Sequence, residues 1–310
     1  MKIAFVFPGQ GSQTVGMMDV WADDAGVQAT LRDGDAALGE DLSGLIARGP
    51  GETLNLTTHT QPAMLLCSVA MYRAWRRAGG SAPALVAGHS LGEYSALVAA
   101  DALDLADAVR TVRVRAEAMQ SAVPVGEGGM AAILGLDDEA VRQACAEAAE
   151  GQVVEAVNYN APAQVVIAGH TAAVERACER ARAAGAKRAV SLPVSAPFHS
   201  RLLEPAAAVL ARALDGVALV SPAMPLINNV DVARPADPAA IRDALVRQAW
   251  HPVRWVETIQ AMKRDGVTHI VECGPGKVLS GLVKRIDREI NTFNITDPAS
   301  LKTTLEALGG

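Results

Sequence analysis

The pentapeptide Gly88-His-Ser-Leu-Gly92 combines residue types that suit a nucleophilic serine. A short apolar run ends at Gly88, Ser90 stands between the two glycines, and a helix-forming run, residues 91–100, follows at once. A Gly-x-Ser-x-Gly pattern between a strand and a helix is typical of a nucleophile elbow, a tight turn that exposes the serine hydroxyl. We therefore expect Ser90 to be a nucleophile; the alternative is an ordinary strand-to-helix loop with two structural glycines.

The same turn indicates where a negative charge would be stabilised. The first backbone N–H groups of a helix have no partner within the helix, and the helix dipole favours an anion beside them. Leu91, the residue after Ser90, begins the predicted helix. Its N–H is therefore a candidate oxyanion-hole donor for the tetrahedral intermediate of an acyl transfer.

A serine hydroxyl is a weak nucleophile at neutral pH and needs a base beside it. The chain has six histidines, at positions 59, 89, 170, 199, 251 and 269. His89 adjoins Ser90, but the elbow should turn its side chain elsewhere. His199 lies in the segment 192–200, where a β-like run leads into a loop containing proline, and such loops often carry catalytic groups. Spacing favours His199 and leaves the last two histidines as alternatives.

An arginine lies on the apolar face of a predicted helix. Residues 104–121 show helical periodicity, and Arg115 falls three residues after Val112 and four before Met119, both on the apolar face. A guanidinium there must find an anionic partner or lose its hydration without compensation. Periodicity alone leaves three interpretations open: a site for a substrate anion, an ion pair with an internal carboxylate, or a side chain that buries its stem and reaches water.

The segment 125–194 differs in pattern from its surroundings. Its periodicity predicts strand, helix, strand, strand, helix and strand at 130–136, 137–150, 153–158, 164–168, 171–184 and 187–193. That order is the ferredoxin-like βαββαβ pattern. We expect an α/β protein in which this small domain is inserted into a large α/β-hydrolase-like domain, residues 1–124 and 195–310. The large domain should have a parallel sheet, with the site at the carboxyl ends of its strands, facing a cleft between the domains.

Composition and charge limit the classes of protein. A chain of 310 residues that is 50% hydrophobic and 20% charged can bury a sizeable core. The net charge of −6 argues against nucleic acid or a membrane surface as partner. No run reaches transmembrane length and the first apolar run is too short for a signal peptide, so we expect a cytoplasmic protein. The four cysteines lack metal-type spacing and the histidines are scattered, so we expect reduced thiols and no metal site.

Six motifs occur in order over nearly the whole chain, from Phe5 to about Ile286. They are Phe-Val-Phe-Pro-Gly-Gln-Gly-Ser-Gln (5–13), Gly-His-Ser-Leu-Gly-Glu (88–93), Arg115 with Met119-Gln120, Asn-Tyr-Asn-Ala-Pro (158–162), Ala-Pro-Phe-His-Ser (196–200) and Glu-Cys-Gly-Pro-Gly-Lys (272–277). Together they resemble the malonyl-CoA:acyl-carrier-protein transacylases of bacterial fatty-acid synthesis, which are relatives of polyketide-synthase acyltransferase domains. The resemblance implies an enzyme that moves a malonyl group from malonyl-CoA to the phosphopantetheine thiol of acyl carrier protein, with no cofactor.

The resemblance also implies roles for individual residues. Ser90 attacks the thioester carbonyl in a ping-pong reaction, with His199 as general base and then as acid towards the departing CoA thiolate. The backbone N–H groups of Leu91 and Gln10 form the oxyanion hole, and the backbone carbonyl of Gln248 orients the histidine. Gln10 lies between two glycines after the first predicted strand, where backbone can approach a ligand closely.

Four residues are expected to bind the substrate: Arg115, Met119, Phe198 and Asn160. By the resemblance, Arg115 grips the free carboxylate of the malonyl group with its planar fork, and an acetyl group would leave it unpaired. Phe198 accompanies malonyl rather than methylmalonyl specificity, since its ring crowds a branch at the α-carbon; a plain packing role is the alternative. Asn160 either lines the cleft or forms a polar turn.

Basic residues are frequent towards the C-terminus despite the acidic balance of the chain. They are Lys263, Arg264, Lys277, Lys284, Arg285 and Arg288. Carrier proteins are strongly acidic, so a basic patch beside the mouth of the site would speed encounter with one. Scattered, solvated charge on a terminal helix is an equal alternative.

Other functions share part of this pattern. A serine thioesterase or esterase uses the same elbow with water as the second acceptor, and a methylmalonyl-type or polyketide acyltransferase differs in acyl group or pathway. The elbow cannot separate transfer from hydrolysis, whereas Arg115 and the basic residues favour transfer. A non-catalytic carrier-binding subunit is disfavoured because Ser90 and His199 are both present.

Overall fold

The computed structural model describes residues 1–309; Gly310, the last residue of the predicted large domain, lies outside them. The strands are β1 (Ile3–Phe7), β2 (Leu85–Gly88), β3 (Gly128–Leu134), β4 (Val154–Ala161), β5 (Gln164–His170), β6 (Arg188–Ser191), β7 (Leu226–Ile227), β8 (His269–Cys273) and β9 (Asn291–Ile295). The helices are α1 (Ala25–Leu38), α2 (Leu42–Arg48), α3 (Gly51–Leu54), α4 (Thr57–Arg77), α5 (Gly92–Ala99), α6 (Leu105–Ser121), α7 (Asp138–Ala148), α8 (Thr171–Ala183), α9 (Glu204–Asp215), α10 (Pro238–Gln248), α11 (Trp255–Arg264), α12 (Val278–Ile286) and α13 (Pro298–Leu308).

A five-stranded parallel sheet forms the centre of the molecule, in the order β7-β2-β1-β8-β9. Strand β1 lies in the middle, and its continuous apolar run is buried along its whole length, as expected for a strand covered on both faces. Phe7, at the end of β1, pairs in register with Gly88, at the end of β2. The loop that follows β1 therefore lies beside the elbow that follows β2.

Helices cover this sheet and bring polar residues to its carboxyl edge. Helix α4 is buried over most of its length and packs against α1, α5 and α6. Helix α6 begins where the Asp104 side chain accepts hydrogen bonds from the N–H groups of Ala106 and Asp107. The apolar face of α6 is buried, and Arg115 is buried with it. Packing of α6 on α4 thus carries a charged side chain into the interior.

The second sheet has four antiparallel strands in the order β4-β5-β3-β6. Helices α7 and α8 pack against it around a separate apolar core. Element order and strand order are those of a ferredoxin-like fold, so the predicted α/β class with a parallel sheet and an antiparallel βαββαβ unit is confirmed. The exact division into 1–124 with 195–310 and 125–194 stays a prediction.

Strand β4 is longer than the sequence pattern predicts. We expect it to end at Asn158, but it continues to Ala161, with irregular register on both sides of Tyr159. The N–H of Tyr159 donates to the carbonyl of Val253 at 3.0 Å, and the N–H of Val253 donates to Val157 at 2.9 Å. Hydrogen bonds to the chain before α11 extend the strand, so Asn160 lies in a strand and not in a polar turn.

The hydropathy of the helices bears on membrane contact. Across residues 1–309, no helix combines the length and the apolar character needed to cross a membrane. The four cysteines, at positions 67, 145, 178 and 273, are buried and unpaired.

Candidate active site

Ser90 lies on a strained turn between β2 and α5. Its φ is 53°, in the left-handed region that non-glycine residues rarely adopt. A Cβ on Gly88 would overlap the carbonyl group of Gly92, and a Cβ on Gly92 would overlap the carbonyl oxygen of Phe7. Both glycines of the pentapeptide are therefore required by close backbone packing, and the turn has the geometry of a nucleophile elbow.

A hydrogen-bonded chain joins Ser90 to a buried histidine. The Oγ of Ser90 lies 2.7 Å from Nε2 of His199, and Nδ1 of His199 lies 2.9 Å from the backbone oxygen of Gln248. Because a carbonyl can only accept, Nδ1 carries the proton and Nε2 is free to accept the serine proton. Burial, the nearby Arg115 charge and His89 lower the pKa of His199 to about 3 against two hydrogen bonds that raise it, so the imidazole is neutral at pH 7.

Two backbone N–H groups without a protein acceptor in the described chain belong to residues that line the same cavity. Gln10 and Leu91 both line the cavity that contains Ser90 Oγ, and within residues 1–309 neither N–H donates to another protein group. Leu91 directly precedes helix α5, where the helix dipole favours an anion. Gln10 reaches this position because the ends of β1 and β2 are in register. These two donors can hold a developing oxyanion.

Arg115 is 2% exposed and is held by neutral oxygen atoms. Its Nη1 donates to Oε1 of Gln61 at 2.5 Å, and its Nη2 donates to Ser90 Oγ at 3.0 Å and to Oε1 of Gln248 at 2.9 Å. The ring of Tyr94 lies 5.6 Å from the guanidinium carbon. Among the described residues none of its hydrogen-bond partners is a carboxylate, so the structure supports neither an internal ion pair nor a side chain that reaches water. Next to the nucleophile, this cation is available to an anionic substrate group.

The site opens into a cavity of about 290 Å³ between the two sheets. Polar groups at one end include Gln10, Gln61, Ser90, Arg115 and His199. The apolar wall is formed by Met130, Val166, Leu192, Val194 and Phe198, with Val278, Leu279 and Leu282 of α12. A small acyl group with one anionic end and a long, mostly uncharged arm would suit this division into polar and apolar surface.

The remaining predicted residues are placed as follows. Phe198 is 6% exposed and lines the cavity. Asn160 also lines it, and its Oδ1 lies 2.8 Å from Nε2 of His89, whose ring is therefore turned towards β4. Met119 is buried outside the cavity lining, where its sulfur accepts from Gln61 Nε2 at 3.8 Å. Met119 therefore lies behind Gln61, which lines the cavity.

The other candidate bases lie away from Ser90. His251 Nδ1 is 2.9 Å from the backbone oxygen of Arg247, and His269 Nδ1 is 2.8 Å from Thr268 Oγ1. His199 is thus the histidine that the fold brings to the nucleophile. In the part of the chain that the structure describes, no group of three or more His, Cys, Asp or Glu side chains is placed to hold a metal ion.

The sequence alone assigned no role to three buried polar residues near the nucleophile: Gln61, Glu93 and Asn229. Glu93 appeared there only as the last residue of a motif. Asn229 Oδ1 accepts the N–H of Ser90 at 2.7 Å, and Glu93 Oε2 accepts the N–H of Asn229 at 2.9 Å. The available signal was a polar residue inside an otherwise apolar helix, which fits Gln61 in α4 and Glu93 in α5. Asn229 lies in a loop, and no periodicity marks it.

A parallel sheet with a serine elbow, a neutral buried histidine and two free backbone N–H groups defines an enzyme of acyl transfer. The family model described as "Acyl transferase domain" matches residues 4–295, so the chain belongs to the acyl transferase family. This confirms the family expected from the six motifs.

Individual relatives narrow the comparison. The chain is 55% identical over 306 residues to the malonyl CoA-acyl carrier protein transacylase of Escherichia coli (strain K12), covering 98% of this chain and 99% of the relative. It superposes with a TM-score of 0.97 and 62% identity on the acyl-carrier-protein S-malonyltransferase of Burkholderia pseudomallei 1710b, covering 99% and 100% of the two chains. A second similar structure is a malonyl-transacylase in complex with a type II PKS acyl-carrier protein, with a TM-score of 0.98, 50% identity and 99% and 100% coverage.

Proposed function

We propose that this chain is a malonyl-CoA:acyl-carrier-protein S-malonyltransferase of fatty acid biosynthesis, acting through a Ser90 acyl-enzyme. The names of its close relatives support this activity. The observation that carries the choice of acyl group is Arg115: a buried guanidinium with neutral partners, 3.0 Å from the nucleophilic oxygen. An acyl group bound to Ser90 would have its far end within reach of this cation, and malonyl offers a carboxylate there.

In the first half-reaction, Ser90 attacks the thioester carbonyl of malonyl-CoA while its proton passes to Nε2 of His199. The oxyanion of the tetrahedral intermediate is bound by the N–H groups of Gln10 and Leu91. The carbon–sulfur bond then breaks, and the protonated imidazole gives its proton to the departing CoA thiolate. The Gln248 carbonyl keeps the ring in the tautomer and orientation that both proton transfers need.

In the second half-reaction, the phosphopantetheine thiol of acyl carrier protein replaces CoA. His199 takes the thiol proton as the sulfur attacks the Ser90 ester, and the same two N–H groups bind the second oxyanion. When the ester bond breaks, the serine oxygen recovers a proton from the imidazole. Both half-reactions therefore use one set of groups, and the protein returns to its starting protonation state.

We propose that acyl selection comes from two residues of the cavity lining, Arg115 and Phe198. Arg115 binds the malonyl carboxylate, whereas an acetyl group would leave the guanidinium without an anion. The ring of Phe198 lies beside His199 in the cavity wall, where it restricts a branch at the α-carbon, so malonyl is preferred over methylmalonyl. Asn160 contributes a polar group to the same wall. Met119 supports the site through Gln61 and does not touch the substrate.

We propose that the carrier protein approaches over helix α12. Val278 lines the cavity and is 54% exposed, so this helix reaches from the acyl site to the surface. Lys277 and Lys284 are exposed on the same segment. Lys263, which also belongs to the predicted basic patch, is paired with Asp287 and Glu289 and therefore offers less free charge to a partner.

We further propose a cytoplasmic location and the domain division 1–124 with 195–310 and 125–194. Four buried, unpaired cysteines support a reducing compartment. The confinement of the antiparallel sheet and its two helices to residues 128–191 supports the division.

A serine thioesterase remains the alternative with the same elbow, and one experiment separates the two. Intact-protein mass spectrometry after mixing with malonyl-CoA should show a malonyl adduct on Ser90, and addition of holo acyl carrier protein should move the adduct to the carrier. Release of most of the group as free malonate, with holo carrier present, would identify a thioesterase.

The matched control is Ser90→Ala. This variant should fold, since only a hydroxyl is removed, but it should form no adduct and lose at least about a thousandfold in turnover. An adduct of normal yield in the variant would show that the nucleophile is another residue. Thermal unfolding of both proteins checks that the loss is chemical.

A further inference from the structure

Glu93 is a buried carboxylate outside the cavity. It lies in the first turn of α5, three residues after Ser90, and is 1% exposed. Its Oε2 accepts two hydrogen bonds, from the backbone N–H of Asn229 at 2.9 Å and from Nε2 of Gln248 at 3.1 Å. It is neither part of the cavity lining nor hydrogen-bonded to the reacting oxygen, so it does not touch the substrate. Its two partners, however, are both bound to the nucleophile.

Asn229 and Gln248 hold the two peptide groups of Ser90. The side-chain oxygen of Asn229 accepts the Ser90 N–H at 2.7 Å, and its Nδ2 donates to the carbonyl of Gly88 at 2.6 Å. Nε2 of Gln248 donates to the Ser90 carbonyl at 2.8 Å. Ser90 has φ of 53°, a conformation that persists only where surrounding groups fix it. These two side chains supply that constraint, and Glu93 accepts a hydrogen bond from each residue: from the backbone N–H of Asn229 and from the side-chain amide of Gln248.

Gln248 also connects the base and the arginine. Its backbone oxygen accepts from His199, and its side-chain Oε1 accepts from Arg115 at 2.9 Å. An amide has one donor end and one acceptor end, and Oε2 of Glu93 accepts from the donor end of Gln248. Glu93 therefore favours the orientation in which the NH₂ of Gln248 faces Glu93 and the Ser90 carbonyl, leaving the oxygen for Arg115.

We propose that Glu93 is a positioning residue of this active site: through Asn229 and Gln248 it fixes the backbone of Ser90 in the attacking conformation. This rests on the proposed acyl transfer through Ser90. Loss of the carboxylate acceptor should slow formation of the acyl-enzyme and leave substrate binding nearly unchanged, since Arg115 keeps its bonds to Gln61 and to Ser90 Oγ. A residue that only stabilises the fold would not separate these two quantities.

The test compares Glu93→Met, which keeps volume and removes the acceptor, with Glu93→Gln, which keeps an acceptor oxygen. The single-turnover rate of Ser90 malonylation is measured at rising malonyl-CoA concentrations. For Met we expect a rate about 100-fold below wild type, as for a misplaced reacting group, with the half-saturating concentration within about threefold. Gln should restore the rate to within about tenfold of wild type, because its side-chain oxygen can still accept from Asn229 and Gln248.

Glu272→Met is the matched control. Glu272 is the other fully buried carboxylate in the described chain, and it accepts two backbone N–H groups, of Leu279 and Ser280, without contacting the peptide groups of Ser90. Its replacement should lower thermal stability. Because Leu279 lines the cavity, the half-saturating concentration of malonyl-CoA can change, but the saturating single-turnover rate should stay within about threefold of wild type. An equal loss of rate in this control would overturn the proposal, since removal of any buried carboxylate would then slow acylation.

Two further outcomes would overturn it: folded Glu93→Met that acylates at the wild-type rate, and Glu93→Gln that is as slow as Met. If Glu93→Met does not fold, a double-mutant cycle of Glu93→Gln with Gln248→Met replaces it. We expect strongly non-additive losses, because both changes break the same bridge, and additive losses would reject the idea. Failure of the wild-type protein to malonylate would instead reject the proposed function.

Discussion

Burial changes the chemistry of single side chains in this site. Arg115 keeps its charge in the interior because neutral oxygens and the face of an aromatic ring surround it. That charge, with burial, holds His199 in its neutral form, which is the form a general base needs. Arg115 therefore has two effects. Its charge attracts the carboxylate of the acyl group, and it keeps His199 unprotonated until the serine proton arrives.

The role of Arg115 in acyl selection is tested by Arg115→Lys. Lysine keeps the charge but lacks the planar fork, so kcat/KM for malonyl-CoA should fall about 100-fold or more while the slow reaction with acetyl-CoA changes little. Steady-state kinetics with both thioesters measure the ratio. Equal losses for the two acyl groups would mean that Arg115 is structural.

The pKa of His199 leads to a prediction about pH. With a folded-state pKa near 3 and an ordinary value of 6.5, the ring should stay neutral in the native protein throughout the range between them. NMR titration of the ring proton, assigned by its absence in His199→Asn, should show no midpoint above pH 5. A midpoint between pH 6 and 7 would contradict this electrostatic account.

The same shift affects stability. Above pH 6.5 the histidine is neutral in both folded and unfolded states, so its contribution is complete there. As the pH falls towards 3, the unfolded chain binds a proton that the folded chain does not, and His199 then favours unfolding. Glu93 acts in the opposite direction, because burial raises its pKa to about 7 and its protonated form favours the folded state between pH 7 and its ordinary value of 4.5.

At the scale of elements, the site is assembled by strand ends and helix starts. Parallel pairing of β1 with β2 brings the loop of Gln10 to the elbow of Ser90, and helix α5 starts directly after that elbow. Helix α10 ends at Gln248, so its last residue can offer both backbone and side chain to the site. Helix α12 contributes Val278, Leu279 and Leu282 to the cavity lining.

Charge on α12 should govern the carrier step. Reversal of Lys277 and Lys284 to Glu should raise the KM for acyl carrier protein about tenfold and weaken its salt dependence, since rim charges act on encounter. Ser90 acylation by malonyl-CoA should stay within about twofold of the wild-type rate. Lys302→Glu on α13, with its side chain 79% exposed, is the matched control. If the control and the double variant behave alike, the carrier docks elsewhere.

At the level of the whole molecule, the buried apolar residues form three cores. Two lie on opposite faces of the parallel sheet in the larger unit, and the third lies between the antiparallel sheet and helices α7 and α8 in the smaller unit. Backbone bonds between β4 and the segment at Val253 join the two units beside the elbow. The nucleophile and the base both come from the larger unit, while Met130, Asn160 and Val166 come from the smaller one.

The reactivity of the four cysteine thiols tests whether the native fold is intact. All four are buried, and burial raises the pKa of each thiol, that of Cys145 to about 12. Because the thiolate is the reactive form, the native protein should not react with a disulfide reagent such as Ellman's reagent within minutes. In denaturant all four thiols should react. Rapid reaction of a native thiol would show local opening around that cysteine.

Much of the fold follows from local pattern. The continuous apolar run of β1 fits a strand covered on both faces, and the predicted helix 104–121 corresponds to α6, which begins one residue later, at Leu105. The βαββαβ order of the small unit was also predictable, because each element has its own period. The end of β4 was not predictable, because it depends on a partner about 90 residues away in sequence. Hydrogen bonds to Val253 extend the strand past Asn158.

The Gly-x-Ser-x-Gly pattern alone predicted the elbow, and the six ordered motifs indicated the family. The structure agrees, since only glycine fits at positions 88 and 92. The folded chain shows what no local pattern predicts: within residues 1–309 no hydrogen-bond partner of Arg115 is a carboxylate, and Gln248 contacts base, nucleophile and arginine together. The two kinds of information differ because the underlying interactions act over different separations along the chain. Backbone sterics and periodicity act between near neighbours in the chain, whereas buried hydrogen bonds and charges depend on which distant segments the fold brings within 3 Å.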